Sequence, residues 1–221
     1  MPEHHPPEEL LLEYAAGACD EALSLFVACH LTYCPHCRAE VAGFEALGGA
    51  LLSDLFGTEG EGESEDLPDP IGDLAELMAR SPREAVAAPI EYDPLLPAPL
   101  LAYVGSSKSL DWQKVVPGVS TIELPLDRSG VPARLIRSAP GLKVPRHTHV
   151  EREYDLILAG GLHDLTRGGD FEVGDVQTAD ESVDHELEVL PGEDCIVLTV
   201  NAAMAKPVGI KSKFLFRLLP W

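Results

Sequence analysis

Positive charge is scarce in this chain: 16 Lys and Arg stand against 37 Asp and Glu in 221 residues, a formal net charge of -21. A surface of that sign repels phosphate backbones and argues against direct nucleic-acid binding. It suits a basic partner instead, including a protein that itself binds DNA or polymerase. Long apolar runs are missing too, since no stretch approaches the roughly 20 residues of a membrane span. The opening Met1-Pro-Glu-His-His lacks a basic segment followed by an apolar one, so the sequence predicts a cytoplasmic protein with no signal peptide. Cysteines number five, too few and too odd for a disulfide framework, and four of them crowd between Cys19 and Cys37. In a reducing compartment such crowding points to metal. Core-forming residues are not short. A hydrophobic content of 45% excludes a wholly disordered chain, and the length suits two modest domains.

Residues from about 8 to 56 read as helical. Leu10, Leu11, Tyr14 and Ala18 recur at helical spacing, then Leu23, Phe26 and Val27. A third helix is predicted from Cys34 through Val41, Phe44, Leu47 and Leu51, weakened at Gly48-Gly49. The acidic, glycine-rich stretch from Gly57 to Asp69 reads as a solvated linker. A short amphipathic helix with Ile71, Leu74, Leu77 and Met78 on one stripe follows. Four prolines between Ala87 and Pro99 predict an extended tether. Beyond Leu100 the texture changes to short β-branched runs (Val131–Ile136, Leu156–Leu158, Cys195–Val200) separated by Gly, Pro and Asp turns. That pattern predicts an antiparallel sandwich or barrel. The expected architecture is therefore an all-α domain over 1–85, a Pro-rich linker over 86–99 and an all-β domain over 100–221.

The run His30-Leu-Thr-Tyr-Cys34-Pro-His-Cys37 carries the first chemical signal. Two thiolates two residues apart can grip Zn²⁺ from a tight turn or helix start, and an imidazole four residues earlier can join them. A helix starting near Cys34 also puts its positive end beside the thiolates. Tetrahedral zinc needs a fourth donor, and His4 or His5 can supply it. His36 and Cys29 are weaker candidates, and Cys19 suits the core. Here the sequence resembles the zinc-binding anti-sigma domain, in which HxxxCxxC and an N-terminal histidine hold zinc in a helical bundle that clamps a sigma factor. The resemblance implies His5, His30, Cys34 and Cys37 as zinc ligands, and makes the Ile71–Met78 helix the family's fourth.

The second signal runs from Gly141 through His147, His149 and Glu153 to Gly160. On a strand His147 and His149 face the same way, and a carboxylate after a turn can complete a divalent transition-metal site with a later His185. Such a donor set suits Zn, Mn, Fe or Ni. Glu151 is a rival to Glu153. His163 reads as a surface residue and Cys195 as a buried thiol. The spacing matches the first cupin motif at every defined position. In the second motif Gly174 and His185 stand at the expected interval, while Asp180, Ser182 and Val189 depart from it. The resemblance implies a jelly-roll cupin barrel with His147, His149, Glu153 and His185 as metal ligands.

In this order the two domains resemble the ChrR-type anti-sigma factors. That resemblance implies an extracytoplasmic-function (ECF) sigma factor as partner, held from RNA polymerase, and a cupin domain needed for the response to singlet oxygen or related oxidants. It implies no membrane and no direct nucleic-acid contact. Three other readings of the residues stand beside it: oxidation of Cys34 and Cys37 as the trigger, a cupin dioxygenase carrying an appended zinc domain, and a passive zinc scaffold with an inert barrel.

Overall fold

A computed structural model describes residues 1–57, 92–126, 130–201 and 206–208. The amphipathic helix expected over Ile71–Met78 and nearly all of the acidic linker lie outside those residues.

The first helix, α1 (Glu8–Ala15), opens with Glu8 and Glu9 beside its positive end. It stops at Gly17, whose φ of 66° is a conformation that glycine adopts readily. There the N–H groups of Gly17 and Ala18 donate back to Tyr14 and Glu13, a glycine-based helix end. Ala18, expected on the helical stripe, therefore lies past the end of α1. Helix α2 (Glu21–Tyr33) starts at Asp20, whose carboxylate accepts the Leu23 N–H at 2.8 Å. It ends at Cys34 because Pro35 follows, and a residue before proline is pushed out of the helical region; Cys34 has φ -109° and ψ 102°. Helix α3 (Pro35–Gly57) begins on that same proline, whose missing N–H a helix start leaves unbonded anyway. One Cys-Pro step thus ends one helix and starts the next.

Gly48-Gly49 does not interrupt α3. The apolar series along it divides. Val41 is buried, whereas Leu47, Leu51 and Leu52 are 57%, 58% and 59% exposed. The end of the proline-rich segment is not the extended tether its composition predicts. The Asp93 carboxylate accepts the N–H groups of Leu95, Leu96 and Ser107, Leu96 is buried, and α4 (Ala98–Val104) packs against α2. Prolines before and within its first turn pre-set the φ values that a helix start needs, so this stretch docks.

Eleven strands are described: β1 (Gln113–Val116), β2 (Val119–Glu123), β3 (Ala133–Ser138), β4 (Lys143–Thr148), β5 (Glu153–Ala159), β6 (Leu162–Asp164), β7 (Asp170–Phe171), β8 (Val176–Ala179), β9 (His185–Val189), β10 (Cys195–Asn201) and β11 (Lys206–Pro207). They form two antiparallel sheets ordered β1-β2-β3-β10-β5-β8 and β11-β4-β9-β6-β7, the expected jelly-roll barrel. Strand β5 shows how the layers meet. Tyr154, Leu156 and Leu158 join Leu10, Leu11 and Phe26 in a core under the helices, while Ile157 packs inside the barrel with Phe171, Leu187 and Val189. Covered on both faces, β5 reads as a nearly continuous apolar run.

Phe26 is fully buried, with its ring 5.8 Å from that of Tyr154. A Phe26→Ala substitution is expected to cost about 3–5 kcal/mol, the usual range for emptying a buried aromatic site. A urea unfolding curve checks this, with a midpoint unchanged from wild type as the contrary result.

Candidate metal centres

His5, His30, Cys34 and Cys37 come together, each offering a ligand atom within 4.8 Å of the others. The Cys-Pro step explains the convergence: His30 lies in the last turn of α2, Cys34 sits at the break, and Cys37 lies in the first turn of α3. His30 Nε2 is 3.3 Å from Cys37 Sγ, and His5 Nδ1 lies 3.4 and 3.5 Å from the sulfurs of Cys34 and Cys37. The Cys37 N–H points at Cys34 Sγ from 3.4 Å, so the start of α3 polarises that sulfur. Both cysteines and His30 are fully buried. Burial, then the adjacent Cys34, pushes the Cys37 thiol up to about 12, and burial pulls His30 down to about 4. A cation reverses the thiol preference, because a coordinating thiol is deprotonated outright. Two sulfurs and two imidazoles packed this closely, three of the four groups buried, fit tetrahedral Zn²⁺.

His4, the other N-terminal histidine, stacks on Phe171 at 4.5 Å and takes no part. His36 faces solvent beside Glu40, Cys29 is in the core, and Cys19 packs at its edge.

Inside the barrel, His147, His149 and His185 form a second group within the same limit. Strand alternation puts His147 and His149 on one side, and β9 lies beside β4 so that His185 pairs with His147. The three Nε2 atoms point at one another: His149 to His185 is 3.0 Å, and His185 to His147 is 3.1 Å. Of the outer nitrogens, that of His147 has a hydrogen-bond partner, while those of His149 and His185 are buried without one among the described residues. His147 Nδ1 is 2.8 Å from the Pro145 carbonyl, His149 Nδ1 is 3.4 Å from Glu153 Oε1, and His185 Nδ1 is 4.0 Å from Asp164 Oδ2. A proton on each Nδ1 would leave three lone pairs converging on one point, the tautomer that metal-binding histidines take; the Pro145 carbonyl selects it for His147. Burial, then mutual repulsion, drops His185 to about 3 and His149 to about 4, and burial lowers His147 as well. The imidazoles stay neutral, as ligands must.

Glu153 is not in the converging set. It lies on β5 in the opposite sheet, behind His149, and Asn201 Nδ2 donates to its Oε2. Burial, then the neighbouring Asp155, raises its carboxyl well above the usual range. Glu151 is exposed. His163 is partly exposed and pairs with Asp170 at 2.6 Å, and Cys195 is buried.

Sequence reasoning missed Asp164. It is almost fully buried, and although burial works against its charge, the N–H groups and guanidinium of Arg167 and the Thr166 N–H hold its carboxyl below the ordinary value. It also missed the Gly174 carbonyl, which sits 2.9 Å from His30 Nδ1. A backbone acceptor leaves no signal in sequence.

The family model for the ChrR cupin-like domain matches residues 102–205. The anti-sigma-E factor ChrR of Cereibacter sphaeroides is 36% identical over 203 residues, covering 90% of both chains. The crystal structure of Rhodobacter sphaeroides SigE in complex with the anti-sigma ChrR matches with a TM-score of 0.72 and 35% identity, over 91% of this chain and 100% of that one.

Proposed function

Because the chain belongs to the ChrR family of anti-sigma factors, we propose that it holds an ECF sigma factor away from core RNA polymerase in the cytoplasm, through its helical domain. The observation that carries this reading is the likeness, over 91% of this chain, to a protein captured with its sigma factor. His5, His30, Cys34 and Cys37 hold zinc, which ties the N-terminal arm, α2 and α3 into one unit. The half-exposed Leu47, Leu51 and Leu52 on α3 supply apolar surface for a partner to cover. A net charge of -21 favours association with a basic protein. In this reading the molecule is a regulator and not an enzyme.

The barrel, over 100–221, is the element that answers oxidants of the singlet-oxygen type. His147, His149 and His185 hold Zn, Mn, Fe or Ni, and Glu153 supplies the site's carboxylate from behind His149. An ion bound there offers open coordination positions to a small oxidant. Within the barrel, the Pro145 carbonyl fixes the His147 imidazole at 2.8 Å, and the Glu153 and Asp164 carboxylates stand 3.4 and 4.0 Å from the outer nitrogens of His149 and His185.

The test is co-expression with an ECF sigma factor from the same organism, the one encoded beside this gene if there is one. A one-to-one complex containing zinc is expected on gel filtration. Free elution of both proteins overturns the reading.

A further inference from the structure

The N-terminal metal site does not end at the helical domain. His30 Nδ1 meets the carbonyl of Gly174, 144 residues away, in the barrel loop that joins β7 to β8. The next residue, Asp175, is buried, and its Oδ1 accepts the N–H groups of Glu3 at 2.7 Å and His4 at 3.0 Å. The Val176 N–H then donates to the His4 carbonyl at 3.0 Å, and His4 stacks on Phe171. The arm that presents His5 is thus bonded on both sides of His4 to one barrel loop. The loop itself is bonded in place. Asp175 Oδ2 accepts the Glu172 N–H, and Gly174 and Asp175 exchange backbone bonds with Ile157. The approach is close enough that a Cβ on Gly174 would stand 2.8 Å from both Tyr33 Cβ and Pro2 Cγ.

Two of the four donors are therefore aimed by the barrel: His30 through its outer nitrogen and His5 through the arm. Outer partners of metal-binding histidines fix ring orientation and ligand basicity. We infer that Gly174 and Asp175 are positioning residues of the zinc site, so that metal retention in the helical domain and docking of the barrel are one linked equilibrium. The inference rests on the assignment of zinc to His5, His30, Cys34 and Cys37. Linkage requires reciprocity: loosening the loop weakens metal binding, and removing the metal loosens the loop to the same degree.

The experiment uses the full chain loaded with Co²⁺. Thiolate-to-cobalt charge-transfer absorption reports the Cys34/Cys37 site alone, because the barrel group offers only imidazoles. Asp175→Ala removes the acceptor, and Glu3→Pro removes one of its donors without touching the barrel, so a folding defect in the first variant leaves the second decisive. Loss of the band to excess EDTA is expected to accelerate on the order of 10- to 100-fold, the usual consequence of deleting an outer-shell partner. Amide exchange in residues 172–176 is expected to rise when wild-type protein is stripped of metal. A Glu3→Pro release rate equal to wild type, or exchange indifferent to metal, overturns the coupling. A wild-type protein with no charge-transfer band overturns the zinc assignment itself, which is a separate failure.

Discussion

Replacing Cys34 and Cys37 together by serine is expected to abolish zinc binding at the helical site and to weaken sigma binding by at least about a thousand-fold, or about 4.1 kcal/mol. Structural zinc contributes apparent binding energies of about 10–16 kcal/mol in small domains, as much as the whole stability of a typical fold. Serine keeps the size but offers a hard, protonated oxygen where the ion needs a soft thiolate. In the metal-free variant the N-terminal arm loses its tie to α2 and α3, and the surface a partner recognises loses its shape. Zinc analysis together with a competition assay against core polymerase measures both effects. A zinc-free variant that still displaces polymerase at the wild-type concentration would sink the idea that metal organises the inhibitory surface.

A paired His149→Ala and His185→Ala variant is expected to empty the barrel site while leaving sigma affinity within about two-fold of wild type, which corresponds to roughly 0.4 kcal/mol. The two side chains contribute two of the three converging Nε2 atoms, and one imidazole cannot hold a divalent ion in their absence. Oxidant-induced sigma release should disappear. Acid provides an independent check on metal-free wild-type protein. His185 falls to about 3 and His149 to about 4 when folded, below the ordinary value near 6.5. The unfolded chain therefore binds more protons as pH drops below about 6.5, and stability contributed by the neutral imidazoles is lost from there downward. The paired variant should lose this part of the acid sensitivity, read from melting temperature between pH 7 and 5. Normal oxidant release by a barrel without metal would remove the sensing role from this site.

Much of the architecture was legible because it rests on local rules. Cys34-Pro35 announces a helix break, and that break is what faces His30 toward Cys37. Strand alternation places His147 beside His149, and neighbouring strands bring in His185. What was not legible depends on distant chain segments. Four prolines spell a tether by composition, yet Leu96, Leu100 and Leu101 find apolar surface to bury against. Motif spacing puts Glu153 among the metal donors, and what it does not announce is the setting of that carboxylate, 3.4 Å from His149 Nδ1 and bonded to Asn201 across the β5–β10 pair. The choice between His4 and His5 was open from the residues. It is made by Phe171 and Asp175, which hold the His4 backbone and ring against the barrel.

The leucine row along the outer half of α3 carries a cost for supply. Three side chains more than half exposed on adjacent turns make a molecule that is adhesive until something covers it. Copies made in excess of their partner would find one another, and the strong negative charge would slow that self-association without removing its cause. A partner supplied one for one would keep that row covered.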